Sequence, residues 1–348
     1  MPAVPRSLSP ADAPALRAAL LDWYDAHARP LVWRVTGGAR PDPYRVWLSE
    51  VMLQQTTTVH AAPYFEAFTA RWPTVSDLAA AEDAEVMAAW AGLGYYARAR
   101  NLLACARAVA RDQGGVFPDT EAGLLALPGV GPYTAAAVAA IAYGRPANVV
   151  DGNVERVMAR LFAVETPLPA ARPELRRLAA ALVADDRPGD WAQALMDLGA
   201  TVCRPGRPLC HACPLTAHCA AFASGNPERW PLKAPKPERP RRHGVVWVLR
   251  DGQGLVALVR RPDKGLLGGM LGLPTSDWGP APDDRSPPAA ADWRDAGAVE
   301  HVFTHFSLTL SVRTGEAADG DFLWTPADEA RSSLPTVFRK ALERGLAA

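Results

Sequence analysis

Apolar and polar positions follow two different periods along this chain. From about Leu16 to Phe222, apolar residues recur at helical spacing in alanine- and leucine-rich stretches, with no β-alternation and no internal repeat. PDPYRVWLSEVMLQQ opens as a helix should, with Asp42 as N-cap and Pro43 at the first helical position. PDTEAGLLAL starts the same way from Asp119 or Thr120. In GLLALPGVGPYTAAAVAAIAYG one helix is expected to end near Leu127 and the next to begin near Pro132, around a turn holding Gly129 and Gly131. The pattern breaks at NPERWPLKAPKPERPRR, whose prolines exclude helix interior and strand ladder and predict a stiff linker. Beyond it HGVVWVLR and GLVALVRR flank DGQG, which predicts a strand–turn–strand hairpin. HVFTHFSLTLSVRT is a second strand-rich run, and TVFRKALERGL closes as a helix. The expected architecture is therefore multidomain: an all-α domain over 1–225, a linker over 226–243 and a small mixed α/β domain over 244–348.

A length of 348 residues suits two domains, and 49% hydrophobic with 21% charged residues is ordinary for a globular chain. No apolar run reaches the roughly 18 residues of a membrane span. The start MPAVPRSLSP lacks the layout of a secretion signal, so a cytoplasmic location without membrane partners is expected. Lys+Arg and Asp+Glu both number 37, giving zero net charge, which disfavours a uniformly basic nucleic-acid binder and leaves room for a local patch. The linker is such a patch: Arg229, Lys233, Lys236, Arg239, Arg241 and Arg242 oppose only Glu228 and Glu238. A segment pressed against a phosphate backbone and a merely soluble one fit this composition equally.

Several residues carry candidate chemistry. The LPGVGPYTA turn leaves the amides of the following helix N-terminus open, an arrangement that binds anions such as DNA phosphate, or that simply joins two packed helices. Cys105 reads as a small core residue. The other four, Cys203, Cys210, Cys213 and Cys219, are spaced C-x6-C-x2-C-x5-C, which suits Zn²⁺ or an iron–sulfur cluster. Glu50 shares a helical face with Val46, Trp47 and Leu53, where burial favours its neutral, proton-donating form. Asp151, in VVDGNVERV, stands where an extended approach meets a helix; an N-cap is one role, and the same position keeps a carboxylate ionised. Two carboxyls in opposite environments can divide the acid and nucleophile roles of glycoside hydrolysis.

Taken together, LPGVGPYTA, VVDGNV, the cysteine loop, SEVMLQQT and GLGYYARARN resemble the MutY family of adenine DNA glycosylases, within the helix–hairpin–helix glycosylase superfamily, from about Leu16 to the C-terminus. The resemblance implies a [4Fe–4S] cluster on the four cysteines of the 203–219 loop. It implies a DNA N-glycosylase of base excision repair that flips adenine out of duplexes in which it faces 8-oxoguanine or guanine. Glu50 then falls on the general acid that protonates adenine N7, Asp151 on the carboxylate that stabilises the oxocarbenium ion, and Asn153 on its polar supporter. Arg34 and Gln193 match adenine-pocket positions; Gln55 and Tyr95 match residues that wedge into the helix; Gly129 and Gly131 form the DNA-binding hairpin. Tyr133 replaces the lysine with which bifunctional relatives resembling endonuclease III form a Schiff base, so base removal without efficient strand cleavage is expected. The C-terminal unit resembles a MutT-like (Nudix-like) domain. Phe303, Thr304 and His305 match a Phe-Ser-His motif that reads 8-oxoguanine, with threonine for serine: the hydroxyl is kept and a methyl is added. No Arg-Glu-x-x-Glu-Glu box follows KGLLGGMLGL, which argues for binding rather than pyrophosphate hydrolysis there. A nucleoid-associated monomer completes the expectation. A bifunctional glycosylase/lyase for oxidised pyrimidines is opposed by Tyr133 and the second domain, and a non-catalytic cluster protein by the presence of both carboxyls.

Overall fold

The helical stripes of the N-terminal half close on two neighbouring cores. A computed structural model describes residues 12–35, 39–235, 238–262, 265–282, 286–303, 305–317 and 320–348. The chain divides into two units, Met1–Ala234 and Pro235–Ala348. The first runs through α1 (Ala13–His27), α2 (Pro43–Met52), α3 (Thr58–Arg71), α4 (Val75–Ala80), α5 (Asp83–Ala89) and α6 (Ala97–Asp112). It continues with α7 (Glu121–Leu125), α8 (Pro132–Tyr143), α9 (Gly152–Leu161), α10 (Arg172–Ala180), α11 (Pro188–Thr201) and α12 (Ala220–Ala223). Trp47, Phe65, Phe68, Trp90 and Leu102 lie in the core built from α2 to α8. Leu16, Leu20, Met158, Leu175 and Leu198 lie in the core joining α1 with α9, α10 and α11. Each such large side chain, fully buried, contributes roughly 1.5–3 kcal/mol. Residues Thr134 to Ala140 of α8 are all buried, and their small side chains let α2, α7 and α11 pack closely around that helix.

Local signals set the helix ends. Asp42 accepts from the Tyr44 amide at 2.8 Å and starts α2. Thr120, not Asp119, caps α7, accepting from the Gly123 amide at 3.2 Å, while Asp119 pairs with Arg145. α7 stops at Leu125, two residues before the sequence pattern suggests, because three-residue turns take over: the Leu127 amide donates to Leu124 O at 3.1 Å and the Val130 amide to Leu127 O at 3.2 Å. The proline-rich stretch does not run free from its start. Trp230 is buried in the second core, and its carbonyl accepts from Arg160 Nε at 3.0 Å. Leu168 bonds to Leu232 O and Ala234 to Leu168 O, so a tryptophan and a short backbone pairing hold this segment against the helices. Lys236 lies outside the described residues.

In the second unit β1 (Arg241–Arg250), β2 (Val256–Arg260), β3 (Leu271–Gly272), β4 (Arg294–Val302), β5 (Ser307–Glu316) and β6 (Leu323–Thr325) form one sheet, ordered β3-β2-β1-β5-β4 with β6 on β2. β1 and β2 are the antiparallel hairpin, turned by Asp251, whose carboxylate accepts from the Gln253 and Leu255 amides. β1 runs parallel to β5, from Arg241 opposite Ser307 to Arg250 opposite Glu316. After β6 come α13 (Ala327–Ser333) and α14 (Thr336–Leu346). Phe338 and Leu342 of α14 bury against Val246, Val248, Leu310 and Val312 of the sheet. Among the described residues, no helix is long and apolar enough to cross a membrane.

Candidate active site

α2 carries an acid into the interior. Glu50 is 7% exposed, and Val46, Trp47, Val51 and Met52 of the same helix are buried with it. A carboxyl stripped of water resists ionisation. Burial pushes Glu50 up to about 7; the Tyr133 hydroxyl pulls against this, the Asp151 charge adds to it and Arg34 opposes it.

The second carboxyl is held quite differently. Asp151 is the N-cap of α9, with Oδ1 accepting from the Asn153 amide at 2.9 Å and the Val154 amide at 2.8 Å. Its Oδ2 accepts from Asn153 Nδ2 at 2.7 Å. Asn153 is fixed in turn, because its Oδ1 accepts from Arg156 Nη2 at 2.8 Å. Arg156 also donates to Gly199 O at 2.7 Å and to Cys203 O at 2.8 Å. One chain of hydrogen bonds thus runs from the cysteine loop to the Asp151 carboxylate. Gly199 leaves room for it, since a Cβ there would come within 2.6 Å of Asn153 Cβ. We expect Gly199→Ala to destabilise the protein by about 1–3 kcal/mol through overpacking. The check is a lower urea midpoint with an unchanged denaturant slope.

Both carboxyls line one cavity of about 610 Å³, together with Tyr133, Asn153, Arg34, Gln55 and Gln193. Tyr133, in the first turn of α8, donates to Met196 Sδ at 3.3 Å. Burial raises its phenol well above 10, and the Glu50 and Asp151 charges add to that, so it stays protonated. Gln193 Nε2 donates to Gly189 O at 3.3 Å, and Gln193 also borders a second cavity of about 500 Å³.

Tyr95 does not line the cavity; it stands 64% exposed. Gln55 (φ +58°) and Tyr95 (φ +48°) both occupy the left-handed region that non-glycine residues rarely adopt. One arginine supports both turns. Arg98 donates to Val51 O and Met52 O at the end of α2, to Thr56 Oγ1, and to Leu93 O and Gly94 O before Tyr95. Gly129 has φ +72°, and a Cβ there would meet Asn101 Cβ at 2.6 Å. Gly131 is the N-cap of α8, and a Cβ there would meet nothing within 4 Å.

Cys203, Cys210, Cys213 and Cys219 are free thiols around one small cavity of about 30 Å³. Arg160, 2% exposed, donates to Cys203 Sγ at 3.3 Å and to the carbonyls of Arg204 and Pro205. Among the described residues no group of three or more His, Cys, Asp or Glu is arranged to hold a single metal ion. Cys105 is a core residue, its thiol pushed up to about 12 by burial. In the second unit Phe303 stacks on Trp278 at 5.9 Å and leans on Phe306 at 5.0 Å, in the turn between β4 and β5. His305 is exposed in that turn, and Thr304 lies outside the described residues.

Arg29, which lines the cavity, and Asp197, which bonds to the lining residues Arg29 and Arg34 without lining it, carry no role in the sequence expectations. Asp197 of α11 is fully buried and bonded to both Arg29 and Arg34. The sign that marks Glu50, an acid on an apolar helical stripe, was equally present in WAQALMDLGA. Arg29 carried no comparable sign.

The helical unit with its hairpin turn and its cavity of paired carboxyls is that of a base-excision DNA repair protein. Residues 48–181 match the family described as HhH-GPD superfamily base excision DNA repair protein, and residues 245–344 match the NUDIX domain. A human relative named adenine DNA glycosylase is 37% identical over 365 residues, covering 87% of this chain and 67% of its own. One of the same name from Mycolicibacterium smegmatis is 42% identical over 236 residues, covering 67% of this chain and 79% of its own. A solved thermostable thymine-DNA glycosylase superposes with TM-score 0.55 at 30% identity, covering 61% of this chain and 97% of that one. A trapped endonuclease III–DNA intermediate shares the fold, with TM-score 0.52 at 23% identity over 62% and 97%. The chain belongs to the adenine DNA glycosylase family, a family of DNA N-glycosylases.

Proposed function

We propose that this enzyme removes adenine from duplex DNA in which adenine faces 8-oxoguanine or guanine, by hydrolysis alone. The observation that carries this reading is the pair of carboxyls lining one cavity, one buried with its proton retained to about pH 7, the other held by three N–H donors. An everted adenosine is brought between them. Glu50 gives its proton to N7, the C1′–N9 bond breaks with its electron pair going to the base, and the sugar becomes an oxocarbenium ion. Asp151 stabilises that cation and bonds to C1′; water then adds at C1′, giving its proton to the Glu50 carboxylate, as the C1′–Asp151 bond breaks with its electron pair going to Asp151. Asn153 keeps Asp151 oriented, and the Tyr133 phenol shields the sugar. Arg34 and Gln193 contact the base, Gln55 and Tyr95 fill the gap it leaves, and the Gly129–Gly131 turn binds backbone phosphate. Phe303 and its neighbours in the second unit read the opposing 8-oxoguanine.

The four thiols fit a [4Fe–4S] cluster. They surround one cavity, and the buried Arg160 cation beside Cys203 would offset the negative charge of thiolate ligands. Such a cluster, held by Cys203, Cys210, Cys213 and Cys219, would tie down the loop that anchors Arg156.

The test is adenine release from duplexes with A opposite 8-oxoguanine, G, C and T, each treated with alkali or left untreated. Release opposite 8-oxoguanine and G, with strand breaks only after alkali, is expected. High-yield trapping by borohydride would mean a Schiff base and overturn the hydrolytic reading. A nucleoid-associated cytoplasmic monomer is the state in which we expect it to work.

A further inference from the structure

Asp197 is 0% exposed, yet it carries a charge, and its two oxygens receive four donors. Arg34 reaches it with both terminal nitrogens, at 2.5 and 2.9 Å. Arg29 reaches it with Nε at 2.5 Å and its backbone amide at 3.1 Å. Arg34 Nη1 also donates to Arg29 O at 3.2 Å. A guanidinium has five N–H donors. Three of those on Arg34 are engaged among the described residues, which leaves two for acceptors in the cavity that Arg34 lines. The two arginines differ in their contact with water. The Arg29 side chain is 26% exposed and its charge is screened, whereas that of Arg34 is 8% exposed and its charge is not.

We propose that Asp197 is a positioning residue of the adenine pocket: it locks the Arg34 fork against one wall and cancels the positive charge that would otherwise face the Glu50 carboxyl. This rests on the reading of Glu50 as general acid. The charged and titratable groups facing Glu50 are Tyr133 from α8, Asp151 at the start of α9 and Arg34 from the segment after α1. Of these, Arg34 and the Tyr133 hydroxyl favour the ionised form, which is useless as an acid. Burial alone would raise Asp197, but its bonds to Arg34 and Arg29 hold it below the usual carboxylate range, so it stays charged throughout the working range. With that charge removed, the full Arg34 cation would act on Glu50 across a low-dielectric cavity.

The experiment is single-turnover adenine release between pH 5.5 and 9 for wild type, Asp197→Asn, Arg34→Met, the double variant and Glu50→Gln. Asp197→Asn is expected to lose about tenfold at pH 8 and much less at pH 6, its alkaline limb moving down by about one unit. Arg34→Met is expected to move that limb up, and the double variant to lie at or above wild type. An Asp197→Asn profile that is uniformly lowered, or superimposed on wild type, overturns the proposal. Should that variant fail to fold, Arg34→Met decides: a limb that moves down or stays in place refutes it. Glu50→Gln separates the two claims. If it retains wild-type release, the general-acid reading itself falls; if it is inactive and the Asp197→Asn limb is unmoved, only this inference falls.

Discussion

Glu50→Gln should abolish adenine release while making the protein more stable above pH 7. General acids contribute about 10²–10⁴ in rate, so single-turnover excision should drop by at least two orders of magnitude. The stability effect has the opposite sign and follows from linkage. The Glu50 carboxyl ionises near 4.5 in the unfolded chain and near 7 in the folded one. Below pH 4.5 both states hold the proton, and the folded state is not penalised. As pH rises from 4.5 to 7 the unfolded chain releases its proton first, and folding stability declines. Above 7 both states are ionised, and the loss levels off at about 3 kcal/mol. Glutamine has no proton to lose, so the urea midpoint of Glu50→Gln should pull above wild type between pH 5 and 8. Near pH 4 that advantage should vanish. A variant equally destabilised at every pH would mean that Glu50 is a structural hydrogen-bonding residue, and the general-acid assignment would be abandoned.

The same opposition explains what sequence could and could not reveal. Glu50 was legible because a helical period puts it among Val46 and Trp47, and Asp151 because an extended run meets a helix there. Strand-rich runs around the DGQG turn and in HVFTHFSLTLSVRT likewise announced β1, β2 and β5. What remained hidden depends on contacts between residues far apart in the chain. Nothing near Asp197 in sequence announces Arg29 and Arg34, which lie 168 and 163 positions away. Arg156 reads as an ordinary exposed helical arginine, yet it joins Asn153 to Cys203, 47 residues on. Trp230 sits in a proline-rich context that signals a stiff linker, and nothing in that context announces that its indole is buried. Local pattern reports which face of an element is buried; it does not report which charge meets which.

Asp151→Asn should lower adenine release by about 10³-fold, the scale of losing a preorganised group aimed at developing charge. Asparagine caps helices as well as aspartate does, so the start of α9 should survive. The relay behind it should not. Asp151 accepts on both oxygens: two backbone amides on Oδ1 and Asn153 Nδ2 on Oδ2. The new amide has one oxygen only, and its NH₂ would meet the Asn153 NH₂, donor against donor. Flipping Asn153 transfers the conflict to Arg156, which has only donors to offer. A destabilisation of about 1 kcal/mol should accompany the lost activity. Adding Asn153→Asp restores the polarity, because the carboxylate at 153 can accept from Arg156 on one side and from the amide at 151 on the other. We expect that double variant to recover its unfolding midpoint and to remain inactive, since the negative charge now lies two residues from where the sugar cation forms. Recovery of adenine release along with the midpoint would show that any carboxylate held by Arg156 suffices, and the specific place of Asp151 against C1′ would have to be given up.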